Sequence, residues 1–319
     1  MQQRLDLTVG PLLYWWPRHD VMNFYAEVAD SPATTVVLGE LVCSRRNDFG
    51  FDDWMALARD LRRAGKRVVL ATMALLATGA ELRAAARIAE QDEFPVEAGD
   101  VSALGLLARA AAADPARPPF VLGPHLNVYS RPALAEHASM GAGAWVAPLE
   151  LSLEAVGLVN PPADPVAGAA GPLRTEVFGF GRLPLAFSAR CFTARHHRLR
   201  KDDCDFRCRS DPDGLLLSAA DGQPFLALNG IQTQSAAVHC LLGEAPTLRR
   251  IGAASVRLSP CSKDFRRVLE LFDAHLNHGL PTAEAVTALR ALALPGEPVA
   301  GFAHHRPGLM PTPHQPRPV

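Results

Sequence analysis

Three cysteines lie close together at Cys191, Cys204 and Cys208, in the stretch ARCFTARHHRLRKDDCDFRC. Thiolates at such spacing can converge on one metal centre. The segment between the first two carries Arg195, His196, His197, Arg198, Arg200 and Lys201 and has no apolar periodicity. It is therefore predicted to be a loop folded around something rather than a core element. A fourth thiol would complete a four-thiolate set, and Cys43, in LGELVCSRR, is the best candidate. Four cysteines on loops suit either structural zinc or an iron–sulfur cluster. Zinc sites often use C-x2-C knuckles, which are absent here, but the spacing leaves both metals open.

The remaining thiols read differently. Cys240, in AAVHCLLG, lies on an apolar pattern and is expected in the core, with His239 packed beside it. Cys261, in RLSPCSKD, follows a strand end and stays a minor ligand candidate. No H-E-x-x-H, no G-x-S-x-G and no evident nucleophile–base pair points to hydrolysis. The cysteines that could act as nucleophiles are the ones best used as ligands.

These residues need a frame. Short apolar, β-branched runs recur at Leu7–Val9, Thr35–Leu38, Arg67–Ala71, Phe94–Glu97, Phe120–Leu122, Trp145–Pro148, Arg174–Gly179 and Ser255–Leu258. The first six are spaced by roughly 25 to 30 residues, room for a strand, a helix and two short loops. After the second run, Trp54, Leu57, Ala58 and Leu61 fall on one helical face, with Asp52 or Asp53 as the cap and Gly65 as the stop. Asp100 can cap a helix carrying Val101, Leu104 and Ala108, and Pro132 and Gly141 bracket another. Alternating strands and helices imply a parallel sheet. Eight strands predict an α/β fold of the closed (β/α)8 kind, a TIM-barrel-like parallel barrel with the cysteine-bearing loop after the seventh strand. An open doubly wound sheet is the alternative, but no G-x-G-x-x-G follows the first strand.

In such a barrel, functional groups gather at the C-terminal ends of the strands. Glu40 and Cys43, Thr72, Glu97 and Asp100, then His125, Asn127 and Tyr129, then Glu150 follow successive strands. This puts Cys43 and the Cys191–Cys208 loop on one face. Glu97 and Asp100 are possible acid–base groups, although capping is the simpler role for Asp100. Tyr14, Trp15 and Trp16 follow the first strand and are read either as a stacking surface or as packing.

Composition bounds the rest. The chain has 319 residues, 48% of them apolar, enough for a sizeable core, and a formal charge of −1. That balance argues against nucleic acid or an anionic membrane as the main partner. No leader-like N-terminus and no apolar run near the length of a transmembrane helix is visible, so a cytoplasmic location without a transmembrane segment is expected. Six cysteines in that compartment suit ligands or core thiols better than disulfides. Residues 1–303 are read as a single barrel domain with the cluster site, and 304–319 as a Pro-rich disordered tail with solvated histidines. The Asn160–Pro172 stretch is read as a linker or surface loop before the seventh strand.

Together, GPLLYWWP, LGELVCSRR, GKRVVLAT, HLNVYS, PLELS, FGRLPLAFSARCFTARHH, KDDCDFRC, LNGIQT and VRLSP resemble the collagenase-like peptidase family, in its ubiquinone-biosynthesis branch. The resemblance runs from about Gly10 to Pro260. It implies a barrel-like α/β fold and an oxygen-sensitive 4Fe–4S cluster on Cys43, Cys191, Cys204 and Cys208. It also implies a heterodimer with a sister protein, UbiU, and a role in oxygen-independent hydroxylation of the aromatic ring of a ubiquinone precursor. That precursor's tail is poorly soluble in water, so a lipid carrier protein is expected to present it. The family name implies instead a collagenase-like peptidase, and a non-catalytic cluster-bearing scaffold is the remaining alternative.

Overall fold

The apolar, β-branched runs are too short for helices and are buried on both faces, the signature of parallel strands covered by helices. The computed structural model describes residues 4–310. In chain order it runs β1 (Asp6–Val9), α1 (Arg18–Ala29), β2 (Thr35–Leu38), α2 (Phe51–Arg63), β3 (Arg67–Ala71), α3 (Gly79–Glu90), β4 (Val96–Ala98), α4 (Val101–Ala113), β5 (Phe120–Leu122), α5 (Arg131–Ser139), β6 (Ala142–Val146) and α6 (Leu153–Val159). A two-residue-strand hairpin follows, β7 (Ala167–Gly168) and β8 (Gly171–Pro172), and then β9 (Arg174–Phe187) and α7 (Phe192–His196). The chain continues through β10 (Leu215–Ser218), β11 (Pro224–Asn229), β12 (Gln232–Cys240), α8 (Ala245–Arg250), β13 (Ala253–Leu258), α9 (Phe265–His278), α10 (Thr282–Arg290) and β14 (Pro298–Val299).

Strands β1 to β6 pair in sequence order, β9 joins β6, β13 joins β9, and β13 pairs back with β1. All of these pairings are parallel. The result is the expected closed eight-stranded (β/α)8 barrel, and β9 is its seventh strand. Leu7, Val9, Val36 and Leu38 point outward into the main core with Trp145, Phe180 and Phe272.

Inside the barrel a buried polar network stands among Val37, Val69 and Val121. Arg257 on β13 donates to both Glu97 oxygens, at 2.9 and 2.5 Å, and through Nε to Glu176 at 2.5 Å. Thr8 and Ser255 donate to the other Glu176 oxygen at 2.6 and 2.7 Å. Burial alone would push Glu176 up, but the Arg257 charge and these hydroxyls hold it below the usual carboxylate range. A buried ion pair persists when its remaining lone pairs and protons are also satisfied, as they are here.

Several expectations need correction. Glu97, read as a polar group at the mouth, is spent on Arg257 inside the barrel. The first helical cap is Gly50 rather than Asp52 or Asp53, and Asp53 instead accepts the Gly50 N–H at 2.8 Å. The sixth strand starts at Ala142, not Trp145: Gly143 looks unlike a strand residue, yet a Cβ there would lie 2.8 Å from Pro119 Cβ. Of the two tail histidines described, His304 is half-buried rather than solvated, whereas His305 is exposed as expected. His304 Nε2 lies 2.9 Å from Glu244, and His305 Nε2 lies 2.8 Å from Ser152 Oγ. The rest of the predicted tail, 311–319, falls outside the described residues.

The largest addition is an antiparallel flap. β9 continues past the barrel to Phe187 and pairs with β12, which pairs with β11, which pairs with β10. Its tip is the two-residue turn Gly230–Ile231, with Gly230 at φ +66°. Among the described residues no helix is long and apolar enough to cross a membrane.

Candidate functional site

The C-terminal mouth of the barrel is where the flap and the cysteine loop meet. Ile231 at the flap tip packs with Leu13, Val37, Leu41, Val42 and Ala71, and Cys43, Cys191 and Phe187 pack against this cluster. The apolar plug separates the thiols from the charged barrel interior. Cys43 sits on the β2–α2 loop, held by Glu40 Oε1, which accepts the Val42 and Cys43 N–H groups at 2.8 and 2.9 Å.

The loop bearing the other three cysteines is anchored at both ends. Ser188 N donates to Ile231 O at 2.9 Å and Phe192 N to Gly230 O at 3.0 Å. Gly230 N donates to the buried Thr193 Oγ1 at 2.9 Å. The N-terminal aromatics clamp the far end. Trp15 meets Phe206 edge-on at 4.3 Å, and its indole N–H donates to Asp48 at 2.8 Å. Arg209 covers the other side of Trp15 at 4.1 Å and pairs with Asp48 at 2.9 Å. Trp16 donates to Pro212 O at 2.8 Å. The aromatic run is therefore packing, and it packs the cysteine loop. Arg198, Asp205 and Phe206 hold left-handed φ values of 58°, 48° and 48°, costly for residues with a Cβ. Such backbone is kept where the surroundings over-determine it, and here the strain is concentrated between the cysteines.

All six cysteines are free. Cys43, Cys191, Cys204 and Cys208 are half-buried at this mouth, whereas Cys240 and Cys261 are buried elsewhere. Burial raises the Cys43 and Cys191 thiols, and the charge of neighbouring thiolates raises them further: Cys191 acts on Cys43, and Cys208 and Cys204 act on Cys191. The Ala194 N–H donates to Cys191 Sγ at 3.4 Å. Arg46 is buried among them. Burial opposes its charge, but Glu40 at 3.8 Å and the Cys208 and Cys43 sulfurs hold it on. It donates to Leu13 O at 2.7 Å and to Asn229 Oδ1 at 2.6 Å, while its Nε has no partner among the described residues. Among the described residues no group of three or more histidine, cysteine or acidic side chains is arranged to hold a metal ion.

Cys240 and Cys261 are core thiols, each pushed up to about 12 by burial, and Cys261 donates to Lys263 O at 3.3 Å. His239 is packed and pulled down to about 4 by burial. Of the other mouth residues, Asp100 caps α4 and accepts Ser102 N at 2.7 Å. Thr72 accepts Gly99 N at 2.9 Å. Tyr129 donates to Glu150 at 3.2 Å, away from the thiols. His125 is half-buried, edge-on against Phe187, and desolvation together with the Arg257 charge pulls it down to about 4. Sequence reasoning missed Arg46, Thr193 and the flap tip. The Asn229-Gly230 pair between apolar runs was the available hairpin signal.

The profile of Peptidase family U32 matches residues 19–278. Among solved structures the chain is similar to the U32 peptidase Mk0906, at 13% identity over 82% of this chain and 95% of that one, with a TM-score of 0.39. It is also similar to a truncated 3-deoxy-D-arabino-heptulosonate 7-phosphate synthase from Thermotoga maritima, at 9% identity over 86% of this chain and 87% of that one, with a TM-score of 0.35.

Proposed function

We propose a function from one premise: the chain belongs to peptidase family U32. Within that family we read it as an iron–sulfur subunit in the manner of the ubiquinone biosynthesis protein UbiV. Cys43, Cys191, Cys204 and Cys208 would hold one 4Fe–4S cluster. With a UbiU-like sister subunit, the protein would support oxygen-independent hydroxylation of a ubiquinone-precursor ring delivered by a lipid carrier protein.

The observation that carries this reading is the gathering of four free, mutually sensed thiols at one barrel mouth around a buried arginine. The donor set fits the group. Burial disfavours the Cys43 and Cys191 thiolates, so bound iron and the Arg46 charge are what would keep these two sulfurs ionised. When bound, such a cluster supplies one-electron transfer at a dry site.

The chain's own residues do the rest. Arg46 offsets sulfur charge, the Ala194 N–H donates to Cys191, and Glu40 orders the backbone of Cys43. The Leu13–Ile231 plug keeps water away from the barrel side. The raised Cys43 and Cys191 thiols are poor nucleophiles, which weighs against the peptidase reading of the family name.

The test is purification without oxygen, followed by iron and sulfide analysis and visible absorption. The expected result is about four irons per chain with broad thiolate-to-iron charge transfer, lost in Cys204→Ala and kept in Cys240→Ala. Full iron in Cys204→Ala would sink the ligand set. A deletion strain that makes normal ubiquinone without oxygen would sink the pathway role.

A further inference from the structure

The first residues of the parallel strands lie at the end of the barrel opposite the cysteines, and that end is open. A well of about 520 Å³ rises from it into the barrel interior. A (β/α)8 barrel is ordinarily filled by layers of branched side chains and has no pore. Here Pro95 and Pro119 stand at the entry to β4 and β5, and β6 supplies only Gly143 and Ala144, so little side-chain volume reaches the axis from that side. Val69, Val121 and Ala144 line the well and stay partly exposed although they lie within the barrel. The far end is closed by the network of Arg257, Glu97 and Glu176, and Val37 joins the wall to the apolar plug beyond it.

The charged groups at the rim differ in what they already hold. Lys66 Nζ donates to Ser31 O and Ala33 O at 2.6 and 2.9 Å, and Arg62 pairs with Glu93 at 2.6 Å. Arg67 and Arg174 are less fully matched. Each donates through one terminal nitrogen to the same oxygen of Asp6, at 2.5 and 2.9 Å. Two half-exposed cations thus share one carboxylate. Arg67 Nε also donates to Thr35 Oγ1 at 3.2 Å. Nη1 of Arg67, and Nε and Nη1 of Arg174, make no hydrogen bond to protein among the described residues. The walls behind this rim are aliphatic. The one ring among them, Phe94, is buried, with Arg62 over it at 4.8 Å, so the well presents no aromatic face.

We propose that this well binds an aliphatic monocarboxylate of medium chain length. Its carboxylate seats on Arg67 and Arg174 as the second anion for two cations that otherwise share one, in the forked geometry that guanidinium groups offer to carboxylates. Asp6 already occupies one such seat, which is why the head group is a carboxylate. The tail lies along Val69, Val121 and Ala144 and removes that apolar wall from water. A neutral head group would leave the charge balance of the rim as it is, and a cationic one would be repelled. The site stands at the opposite end of the barrel from the thiols and does not depend on iron.

The test is calorimetry on the full chain with decanoate, and with octanoate, decanol and decyltrimethylammonium as comparators. Decanoate should bind saturably, about tenfold more tightly than octanoate, because two further methylenes are buried. It should exceed decanol and decyltrimethylammonium by about tenfold or more, the worth of a charge-assisted contact. Val121→Phe, which fills the well from its wall, should weaken decanoate by about tenfold or more. Arg174→Leu, at the exposed rim, should weaken decanoate and leave decanol unchanged, at a Tm near that of the wild type. Asp6→Asn should act in the opposite direction and tighten decanoate, because it removes the anion that both arginines now hold; a rim that is merely loosened would bind it more weakly. If Val121→Phe fails to fold, the two rim variants decide. Decanol binding as tight as that of decanoate would make the well an unselective apolar hole and overturn the proposal. Wild-type affinity in Arg174→Leu, or in a folded Val121→Phe, would place the ligand elsewhere and overturn it too. So would the absence of saturable decanoate binding, which would leave the well to water.

Discussion

Two arginines are buried to nearly the same degree in this barrel, and they are treated in opposite ways. Arg257, with 4% of its side chain exposed, spends Nε and both terminal nitrogens on two carboxylates. Arg46, with 2% exposed, has one carboxylate at 3.8 Å, one backbone carbonyl, one amide oxygen and the Cys208 sulfur, and an Nε with no partner among the described residues. The first belongs to a closed network that fixes four barrel strands, β1, β4, β9 and β13, to one another. The second is left under-paired beside four thiols.

The comparison breaks most visibly if the closed network is opened. Arg257→Ala leaves Glu97 and Glu176 buried without a counter-charge and should cost about 3–5 kcal/mol, read from denaturant midpoints. A cost no larger than that of changing Arg46 would remove the distinction between the two sites.

Acid should act at least as strongly, and His125 carries part of that effect on the Arg257 side. His125 and His239 are pulled from 6.5 to about 4. Unfolded, each takes up a proton as the pH falls through its ordinary value; folded, neither does until about 4. The unfolded chain therefore binds more protons between these limits. Stability should fall there as the pH drops, by about 1.4 kcal/mol per unit for each histidine. Glu176 adds a loss further down, because its depressed folded value confers stability that vanishes as the pH falls through it. Urea midpoints between neutral pH and the acid limit should show the slope, and His125→Gln should flatten it. A flat profile in the wild type would mean that the histidines are not held neutral.

Arg46→Met should cost less in stability, about 1–3 kcal/mol for leaving the buried Asn229 Oδ1 without its donor, while Leu13 O keeps the Asn229 N–H. It should also lower retained iron, which Arg46→Lys should restore only in part, because an ammonium keeps the charge but not the fork. Full iron retention in the methionine variant would make Arg46 a packing residue and dissolve the contrast with Arg257.

The barrel was legible because its strands are buried on both faces, so TVVL and RVVLA read as continuous apolar runs whatever they pack against. The flap was not. Gly181 and Pro184 look like breaks in β9, yet Gly181 stands at φ +124° where a Cβ would lie 2.6 Å from Ser259 Cβ, and the strand bends there rather than ending. The spacing of Cys191, Cys204 and Cys208 was visible in the chain, whereas their meeting with Cys43 depends on barrel closure over some 150 residues. Glu97 was misplaced for the same reason: its partner Arg257 is 160 positions away. Arg46 carries no local mark at all, since what sets it apart is the partners it lacks.

The smallest effect tests how the flap serves the under-paired side. Thr193 is buried, and its hydroxyl accepts the N–H of Gly230 at 2.9 Å, the bond that ties the flap tip to the turn after Cys191. Thr193→Val keeps the shape and removes the acceptor, leaving one backbone donor unsatisfied at a cost of about 1 kcal/mol. Global stability should barely move, because the barrel and the Arg257 network are untouched. The local consequence should be larger than the global one. Two of the loop's ties to the flap, Ser188 N to Ile231 O and Phe192 N to Gly230 O, run through this same turn, so loosening it frees Cys191 to swing away from Cys43. Iron loss to a chelator should therefore be faster in Thr193→Val than in the wild type at equal Tm. Equal loss rates would mean that the cysteine loop is held from its other end, by Trp15 and Asp48, and that the flap covers the mouth without positioning it.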